Sequence, residues 1–497
     1  MGLEQTVRNA AEKVKELRLA GIDPYPEKTP ERVSITEVLA SFEAGVLDGE
    51  VGVVGRLTAK RGHGRVSFGD LDDGTGKIQL YFRLDIIGQE GLDLFGKLDL
   101  GDWVWAFGEV VRTKRGEISV SVAKLMLIAK TLRPYPDKWK GLKDQESRYR
   151  QRYVDLMINP TTRRVFTKRA EIIGSLRRTL HRRGFLEVET PMLQPIYGGA
   201  AARPFETYHN VHDRRLYLRI AVELYLKKLL VGGMERVYEI GRCFRNEGMD
   251  RLHNPEFTLL EAYQAYSDMY GMMELAEDLV RTAADEACGT TAIQYQGTRI
   301  DFGGPFQTRS MDELFLEYVG SDVVSADDDT ILERCEQVGL KEIPPKPSRI
   351  WLLDKLFSLV VEPQLVQPTF VVGQPIGMSP LARASSNDSR LAARFELFVS
   401  GREIVNAYSE LNNPLEQRER LEKQRQATQT DERHPVDEDF LTALEYGMPP
   451  AGGLGLGVDR LVMLLTDMPS IQDVLLFPQM RPTMKDATLA ARNPVPE

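Results

Sequence analysis

Residues 242–263, RCFRNEGMDRLHNPEFTLLEAY, hold an unusual density of arginine, glutamate and asparagine within strand-like alternation. Arg245 and Glu247 stand two residues apart, which on an extended strand puts them on one face. After a polar loop, Phe257, Leu259, Glu261 and Tyr263 alternate the same way on a return strand. The spacing predicts a hairpin presenting an arginine, an aromatic ring and two carboxylates on one surface. Arginine clamps a phosphate bidentately, and phenylalanine can stack on a purine. A merely solvated hairpin would not share that face with Phe and Leu. A second cluster, RFELFVSGREIVNAYSELNNP at 394–414, offers Glu396 and Glu403 as ligands for a hard cation. Mg2+ takes oxygen and is usually held by one or two carboxylates plus substrate phosphates. Asn406, Tyr408 and Glu410 follow at steps of two. Glu403 and Asn406 are an odd number of residues apart, so serving one site requires a bulge or twist between them. The third cluster, AGGLGLGVDRLVMLL at 451–465, runs from glycines into an apolar helix with Arg460 in its first turn. A helix N-terminus attracts anions, and the guanidinium adds a formal charge. Two arginines, two metal-suited carboxylates and a stacking ring are what chemistry at the phosphates of ATP requires. No GxxxxGK[ST], HExxH or CxxC occurs, and Val458 breaks a GxGxxG pattern, which disfavours P-loop, zincin and Rossmann readings.

The elements that must carry these residues are legible from periodicity. Residues 4–20 and 34–47 read as short amphipathic helices, separated by Pro24, Pro26 and Pro30. From position 51 the pattern turns to alternation, VGVVGRLTAKRGHGRVSFGDLDDGTGKIQLYFRLD, with glycine turns at 62–64 and 73–76. Two further strands are predicted at 102–113 and 117–129. About five short strands in some 80 residues suit a small closed barrel of the oligonucleotide-binding (OB) kind. Arg56, Lys60, Arg61, Arg65, Phe68, Lys77, Tyr81 and Phe82 interleave charge and rings there, a mixture that holds backbone phosphates and stacks bases. The competing reading makes those rings plain core, and spacing alone leaves the two level. Residues 130–150 are proline-marked and charged, as in a linker. A long helix is predicted over 161–183, with Phe166, Ala170, Ile173, Leu176 and Leu180 on one face and Gly184 at its C-terminal stop. The strand FLEVET follows, and strands then alternate with helices. Residues 411–435 are highly charged and read as a solvated helix.

With 497 residues, 42% apolar and 28% charged, the chain suits two to four globular domains. It has no apolar run long enough for a membrane span and no secretory pattern at its N-terminus. The three cysteines are far apart, which argues against a disulfide framework and for a cytoplasmic protein. The net charge is −9, yet residues 51–150 carry 18 Lys+Arg against 13 Asp+Glu, leaving −14 for the rest. A basic module on an acidic body can meet phosphate locally.

The sequence resembles class II lysyl-tRNA synthetases of the bacterial type over nearly its whole length. The helix ending in GFLEVETPML is similar to motif 1 of that class, FRNEG…RLHNPEFTLLEAY to motif 2 in its lysine-specific form, and GLGLGVDRL to motif 3. PIYGGAAARPF, RIAVELYLKKL, GREIVNAYSELNNP and RYRQRYVDL resemble further family segments, and KRGHGRVSFGDLDDGTGKIQLY its anticodon-binding barrel. The resemblance implies an α+β protein. Residues 1–50 would be a helical extension, 51–133 a five-stranded OB β-barrel and 134–160 a linker. Residues 161–497 would be a class II catalytic domain, an antiparallel sheet flanked by helices. It implies an aminoacyl-tRNA synthetase that activates L-lysine with ATP and Mg2+ and passes it to tRNA(Lys), acting as a cytoplasmic homodimer. Arg245 and Arg460 would be catalytic. ATP would meet Arg245, Glu247, His253, Asn254, Phe257, Glu403 and Arg460. Gly199, Glu223, Glu261, Tyr263, Asn406, Tyr408 and Glu410 would form the lysine pocket, and Glu396 and Glu403 would hold the metal. Arg56, Phe68, Gln79 and Glu117 would face the anticodon. Tyr408 stands where the family pattern has Phe, which adds a hydroxyl that needs a partner, and Val222 where it has Pro. An aspartate-specific relative would carry Lys or Arg at position 261. A non-catalytic paralogue would be expected to have lost one of Arg245, Glu396, Glu403 or Arg460. A protein-lysylating relative would not need the barrel.

Overall fold

The N-terminal amphipathic spacing forms α1 (Leu3–Leu19), shifted one residue from its pattern, and α2 (Ile35–Glu43), shorter than its pattern at both ends. Ser34 starts α2 by accepting the Glu37 N–H at 3.3 Å. The following strands are β1 (Glu50–His63), β2 (Val66–Asp72), β3 (Lys77–Arg83), β4 (Trp103–Arg112) and β5 (Ile118–Ala129), with α3 (Leu84–Lys97) between β3 and β4. They close into a barrel in the order β1-β2-β3-β5-β4. Apolar side chains on alternate positions, among them Val53, Leu57, Leu80, Val104 and Val120, are fully buried in its interior. Two residues expected at a nucleic-acid surface belong to this scaffold instead. Phe82 is fully buried and stacks on Phe95 of α3 at 4.1 Å. Lys60 donates to the carbonyls of Phe95 and Leu98, both at 2.6 Å, and so closes the C-terminal end of α3. Arg65 lies outside the described residues. The helices α4 (Gln145–Arg150) and α5 (Arg152–Ile158) complete the unit formed by residues 1–160. This structure is a computed structural model that describes residues 3–63, 66–136, 142, 144–322, 326–341, 343–427 and 435–483.

Residues 161–497 form a second unit, entered through α6 (Pro160–Arg182). Gly184 adopts φ +79°, and the Phe185 N–H returns to the Leu180 carbonyl at 3.0 Å, so the helix ends where its glycine indicated. The buried face of α6 is Val165, Ile172, Leu176 and Leu180. The expected stripe is therefore rotated: Phe166 and Ile173 are half-buried and Ala170 is exposed. A 3.6-residue period locates a stripe only to within one neighbouring row, and the sheet selected the row containing Val165. FLEVET pairs only over β6 (Leu186–Glu187). A small sheet of β7 (Leu193–Gln194), β8 (Glu206–His209) and β9 (Arg214–Leu218) follows, then α7 (Glu223–Val231), β10 (Arg236–Phe244), β11 (Glu256–Ala265) and α8 (Met269–Cys288). A two-stranded ribbon, β12 (Ala292–Tyr295) with β13 (Thr298–Asp301), leads to β14 (Gln307–Ser310) and to helices α9 (Met311–Val319), α10 (Asp328–Gln337) and α11 (Arg349–Leu356). The remaining elements are β15 (Thr369–Val372), β16 (Arg394–Val399), β17 (Arg402–Ser409), α12 (Pro414–Ala427), α13 (Glu438–Glu445), β18 (Ala451–Gly457), α14 (Val458–Leu465) and α15 (Ile471–Val474). Only part of the charged 411–435 segment, α12, is among the described residues as helix.

Eight strands make the main sheet, in the order β14-β15-β16-β17-β18-β11-β10-β6. Its ladders are antiparallel except at the two edges, β14–β15 and β10–β6. One face packs on α6, α8 and α14 through Leu260, Leu397, Val405, Leu454 and Leu456 against Ile172, Leu176, Met272, Leu279 and Leu461, all at most 1% exposed. Burying each such side chain stabilises the fold by roughly 1.5–3 kcal/mol. The helices cover that face, and the opposite face of the central strands carries the polar residues singled out above.

Candidate active site

The β10–β11 hairpin forms with Val237 opposite Tyr263 and Phe244 opposite Glu256. On β11, Phe257, Leu259, Glu261 and Tyr263 face a common cleft of about 1230 Å3, as their alternation requires. Arg245 and Glu247 are not on a strand, because β10 ends at Phe244. The Arg245 N–H donates to the Pro255 carbonyl at 2.8 Å, but Pro255 has no N–H to complete the ladder. Arg245 still enters the cleft. Its guanidinium lies 5.0 Å from the centre of the Phe257 ring, and its buried Nε has no hydrogen-bond partner among the described residues. Asn254 is buried, with Nδ2 on the Glu256 carbonyl at 2.6 Å and Oδ1 without a partner among the described residues. Two polar atoms left open beside a ring are fitted to receive a polar planar ligand.

The odd step between Glu403 and Asn406 is absorbed by a bulge. Phe398 pairs with Glu403 and Leu397 with Val405, which leaves Ile404 as the extra residue of β17. Ile404 and Val405 both turn into the core, and Glu403 and Asn406 consequently line the same cleft. Glu396 of β16 is directly opposite Asn406. Arg394 joins them, donating to Asn406 Oδ1 at 3.0 Å and pairing with Glu396. Burial pushes the Glu396 carboxyl up to about 7; Arg394 opposes this, while Glu403, Glu362 and Asp354 add repulsion. A concentration of negative charge that its own arginine does not relieve suits a divalent cation. Among the described residues no group of three or more His, Cys, Asp or Glu could hold a metal alone. Glu396 and Glu403 therefore fit Mg2+ of the kind completed by phosphate oxygens.

The glycine run is itself a strand, β18, which the sequence reading took only as the approach to a helix. Gly453, Gly455 and Gly457 line the cleft, while Leu454 and Leu456 face the core. A Cβ at Gly453 would stand 1.9 Å from Glu410 Oε1 and 2.5 Å from the Tyr263 ring, so that position admits only glycine. The next helix, α14, begins at Val458 and is fixed through Asp459, which pairs with Arg169 of α6 at 2.6 Å and accepts the Thr258 N–H at 2.7 Å. Arg460 follows, with Nη1 on the Glu403 carbonyl at 2.8 Å and 3.4 Å from Glu403 Oε2; its Nη2 is 3.4 Å from His253 Nε2. His253 is in turn held by Asp250 at 2.8 Å.

Farther along the same face is an acidic pocket. Glu223, the first residue of α7, is 6% exposed, and Glu261 is 5% exposed. Tyr263 donates to Glu261 Oε2 at 3.0 Å. Burial, then repulsion by Glu223, pushes Glu261 up to about 8, against the pull of the Tyr263 hydroxyl, the Val222 N–H and Lys227. Burial raises the Glu410 carboxyl to about 8 as well, with Lys227 opposing and Glu223 reinforcing the shift. The Tyr408 hydroxyl finds its partner in Glu223. Gly199, at φ +85°, brings the 198–201 loop against the pocket, its Cβ position 3.4 Å from that of Glu223. Every cleft residue expected from the sequence lines this cleft except Glu410, which is buried behind Gly453. Lys227 was missed. It is fully buried, one helical turn after Glu223, and pairs with Glu223 at 2.6 Å and Glu410 at 2.5 Å. Its signal was available: an i, i+4 Glu–Lys pair inside the apolar run RIAVELYLKKLL.

On the barrel, Phe68 is opposite Tyr81 and Asp70 opposite Gln79, so Phe68 and Gln79 are diagonal neighbours on the outer face of β2 and β3. Phe68 stacks on Tyr81 at 5.0 Å, and Gln79 Oε1 accepts the Ser119 hydroxyl at 3.0 Å. Glu117 is exposed two residues before Ser119. Arg56 is engaged within the scaffold, lying over the Trp103 ring at 4.8 Å and donating to the Gly101 carbonyl at 2.7 Å.

A two-unit chain with a closed barrel and an antiparallel sheet carrying paired arginines, carboxylates and a glycine strand matches one class of protein. The family profile described as "tRNA synthetases class II (D, K and N)" covers residues 144–481, and that described as "OB-fold nucleic acid binding domain" covers 51–128. The chain belongs to the class II tRNA synthetases, and within them to the lysine–tRNA ligases. A lysine–tRNA ligase of Moorella thermoacetica is 53% identical over 477 residues, covering 95% of this chain and 96% of its own. Those of Pelotomaculum thermopropionicum and Carboxydothermus hydrogenoformans are 50% and 49% identical, over 97% of this chain and 96% and 99% of theirs.

Proposed function

We propose that the cleft joins L-lysine to ATP with release of pyrophosphate and then passes the lysyl group to the terminal adenosine of tRNA(Lys). The observation that carries this reading is one strand face holding both halves of the site. Phe257 beside Arg245 and Glu261 beside Tyr263 are four residues apart on β11, roughly 13 Å along the strand. That spacing suits an adenine at one end and an amino-acid side chain at the other. The lysine carboxylate is already a nucleophile, so no side chain must remove a proton. Its oxygen forms a bond to the α-phosphorus as the bond to pyrophosphate breaks. Arg245 neutralises charge at the α-phosphate and holds the carboxylate in line, and Arg460 does the same on the pyrophosphate side. Glu247, His253 and Asn254 hold the nucleotide, and Glu396 and Glu403 hold Mg2+, which supplies charge neutralisation at the phosphates. Gly199, Glu223, Glu261, Tyr263, Asn406 and Tyr408 form the lysine pocket, with Glu410 supporting it from behind Gly453. On the barrel, Phe68, Gln79, Glu117 and Arg56 serve the anticodon.

The Arg245→Ala enzyme should lose roughly two to three orders of magnitude in lysine-dependent ATP–pyrophosphate exchange, as when a transition-state donor is removed. Near-normal exchange would overturn the assignment. The protein is further read as a cytoplasmic homodimer joined through α6 and the segment after it. Leu186, Met192 and Leu193 on that segment are about half exposed, an apolar surface that favours an isologous contact. Sedimentation showing an active monomer at micromolar concentration would rule the dimer out. No described helix is long and apolar enough to cross a membrane.

A further inference from the structure

The lysine pocket contains a lysine of its own. Lys227 projects from α7 with no exposed surface, and its Nζ lies between Glu223 of the same helix and Glu410 at the end of β17. The rings of Tyr408 and Phe440 flank it, at 5.5 and 5.9 Å from the ammonium. Burial alone would favour its neutral form, but Glu223 and Glu410 outweigh that and hold the ammonium above the ordinary lysine range. Among the described residues, the titratable groups around it are Glu223 on α7, Tyr408 and Glu410 from β17 and its end, and Glu261 on β11 with its partner Tyr263. Lys227 is the cation that pairs with carboxylates inside this set. With its acids ionised the pocket thus holds three carboxylates and one ammonium, a formal charge of −2.

We propose that Lys227 is a positioning residue that sets the charge of the amino-acid pocket to match the two ammonium groups of free lysine. The proposal rests on the reading of this cleft as the lysine site. The substrate carboxylate is neutralised separately at Arg245, so its α- and ε-ammonium groups are what the pocket must balance. Lys227 opposes the upward shift of both Glu261 and Glu410, so without it these carboxyls would keep their protons to still higher pH and attract a cation less at neutral pH. Glu410 Oε1, against Gly453, has no hydrogen-bond partner among the described residues. The Tyr408 hydroxyl, absent where Phe stands in the family pattern, helps hold Glu223 in place.

The test is ATP–pyrophosphate exchange by the full-length enzyme between pH 6.5 and 9, with lysine and ATP varied separately. In the Lys227→Met enzyme the KM for lysine should rise at least tenfold at pH 7 and fall back toward the native value at pH 9, where the unneutralised carboxyls ionise. The KM for ATP should stay within about twofold, and Lys227→Arg, which keeps the charge, should be less affected. An unchanged lysine KM at every pH, or one raised equally at all of them, would overturn the proposal. Should Lys227→Met fail to fold, the Lys227→Met/Glu410→Gln enzyme removes both members of the pair and restores the charge of −2. Its lysine KM should lie closer to native than that of Glu410→Gln alone; a value as poor as that of the single variant would overturn the proposal. Native enzyme without lysine-dependent exchange would instead refute the reading of the cleft.

Discussion

Glu261 is the residue on which amino-acid choice depends most directly. Its carboxyl is buried, is held by the Tyr263 hydroxyl and has its pKa raised to about 8. A cationic side chain relieves that cost, whereas an uncharged analogue leaves it in place. Glu261→Gln should raise the lysine KM well over tenfold while ATP binding stays nearly intact. Lower stability with an unchanged lysine-over-norleucine preference would mean that Glu261 only braces the sheet. The same shift makes a pH prediction. A carboxyl whose pKa is higher folded than unfolded contributes stability that is complete below its unfolded value, near 4.3, and is lost as pH rises toward its folded value. Ionised Glu261 and Glu410 therefore strain the empty pocket at alkaline pH, and bound lysine reverses the strain. Lysine should raise Tm more at pH 8.5 than at pH 6.5, and the difference should shrink in Glu261→Gln. An equal rise at both pH values would contradict it.

Among the elements, β18 has the least ordinary composition. Glycine weakens a strand interior, and β18 tolerates four because leucines on its other face anchor it in the core. Gly453→Ala would drive a methyl group into Glu410 and Tyr263. It should cost at least a hundredfold in lysine activation while the barrel remains folded; near-native activity would show that the floor can yield. Local pattern disclosed much of this architecture. The alternation of β11, the stop at Gly184 and the need for a bulge before Asn406 were all legible, because each follows from covalent geometry and side-chain period. What could not be read depends on partners distant in sequence. The rotation of the α6 stripe was chosen by the sheet it packs on, Phe82 went inward to meet α3, and Arg245 left its strand because of Pro255 ten residues later. Lys227 was hidden for a related reason: a lysine in an amphipathic helix is usually solvated, and only the approach of Glu410 from β17 makes it internal.

At the scale of the whole chain, charge and chemistry are divided between two units. The basic 51–150 segment contains the barrel, and the acidic remainder contains the cleft. Phe68→Ala should cost about 1–3 kcal/mol in tRNA recognition through a lost stacking partner, with lysine activation in the absence of tRNA almost unchanged. An equal fall in both reactions would contradict that division. The barrel and the main sheet also differ in how they end. The barrel closes on itself, and the eight-stranded sheet terminates in β14, four residues long, and β6, two residues long. Unpaired strand backbone is what recruits further strands from other molecules, and short edges withhold it. The barrel and the main sheet thus offer a neighbouring molecule little template for intermolecular pairing. The protein's aggregation on heating should accompany global melting rather than precede it, and crowding it at high concentration should promote precipitation far less than the eight-stranded sheet alone would suggest.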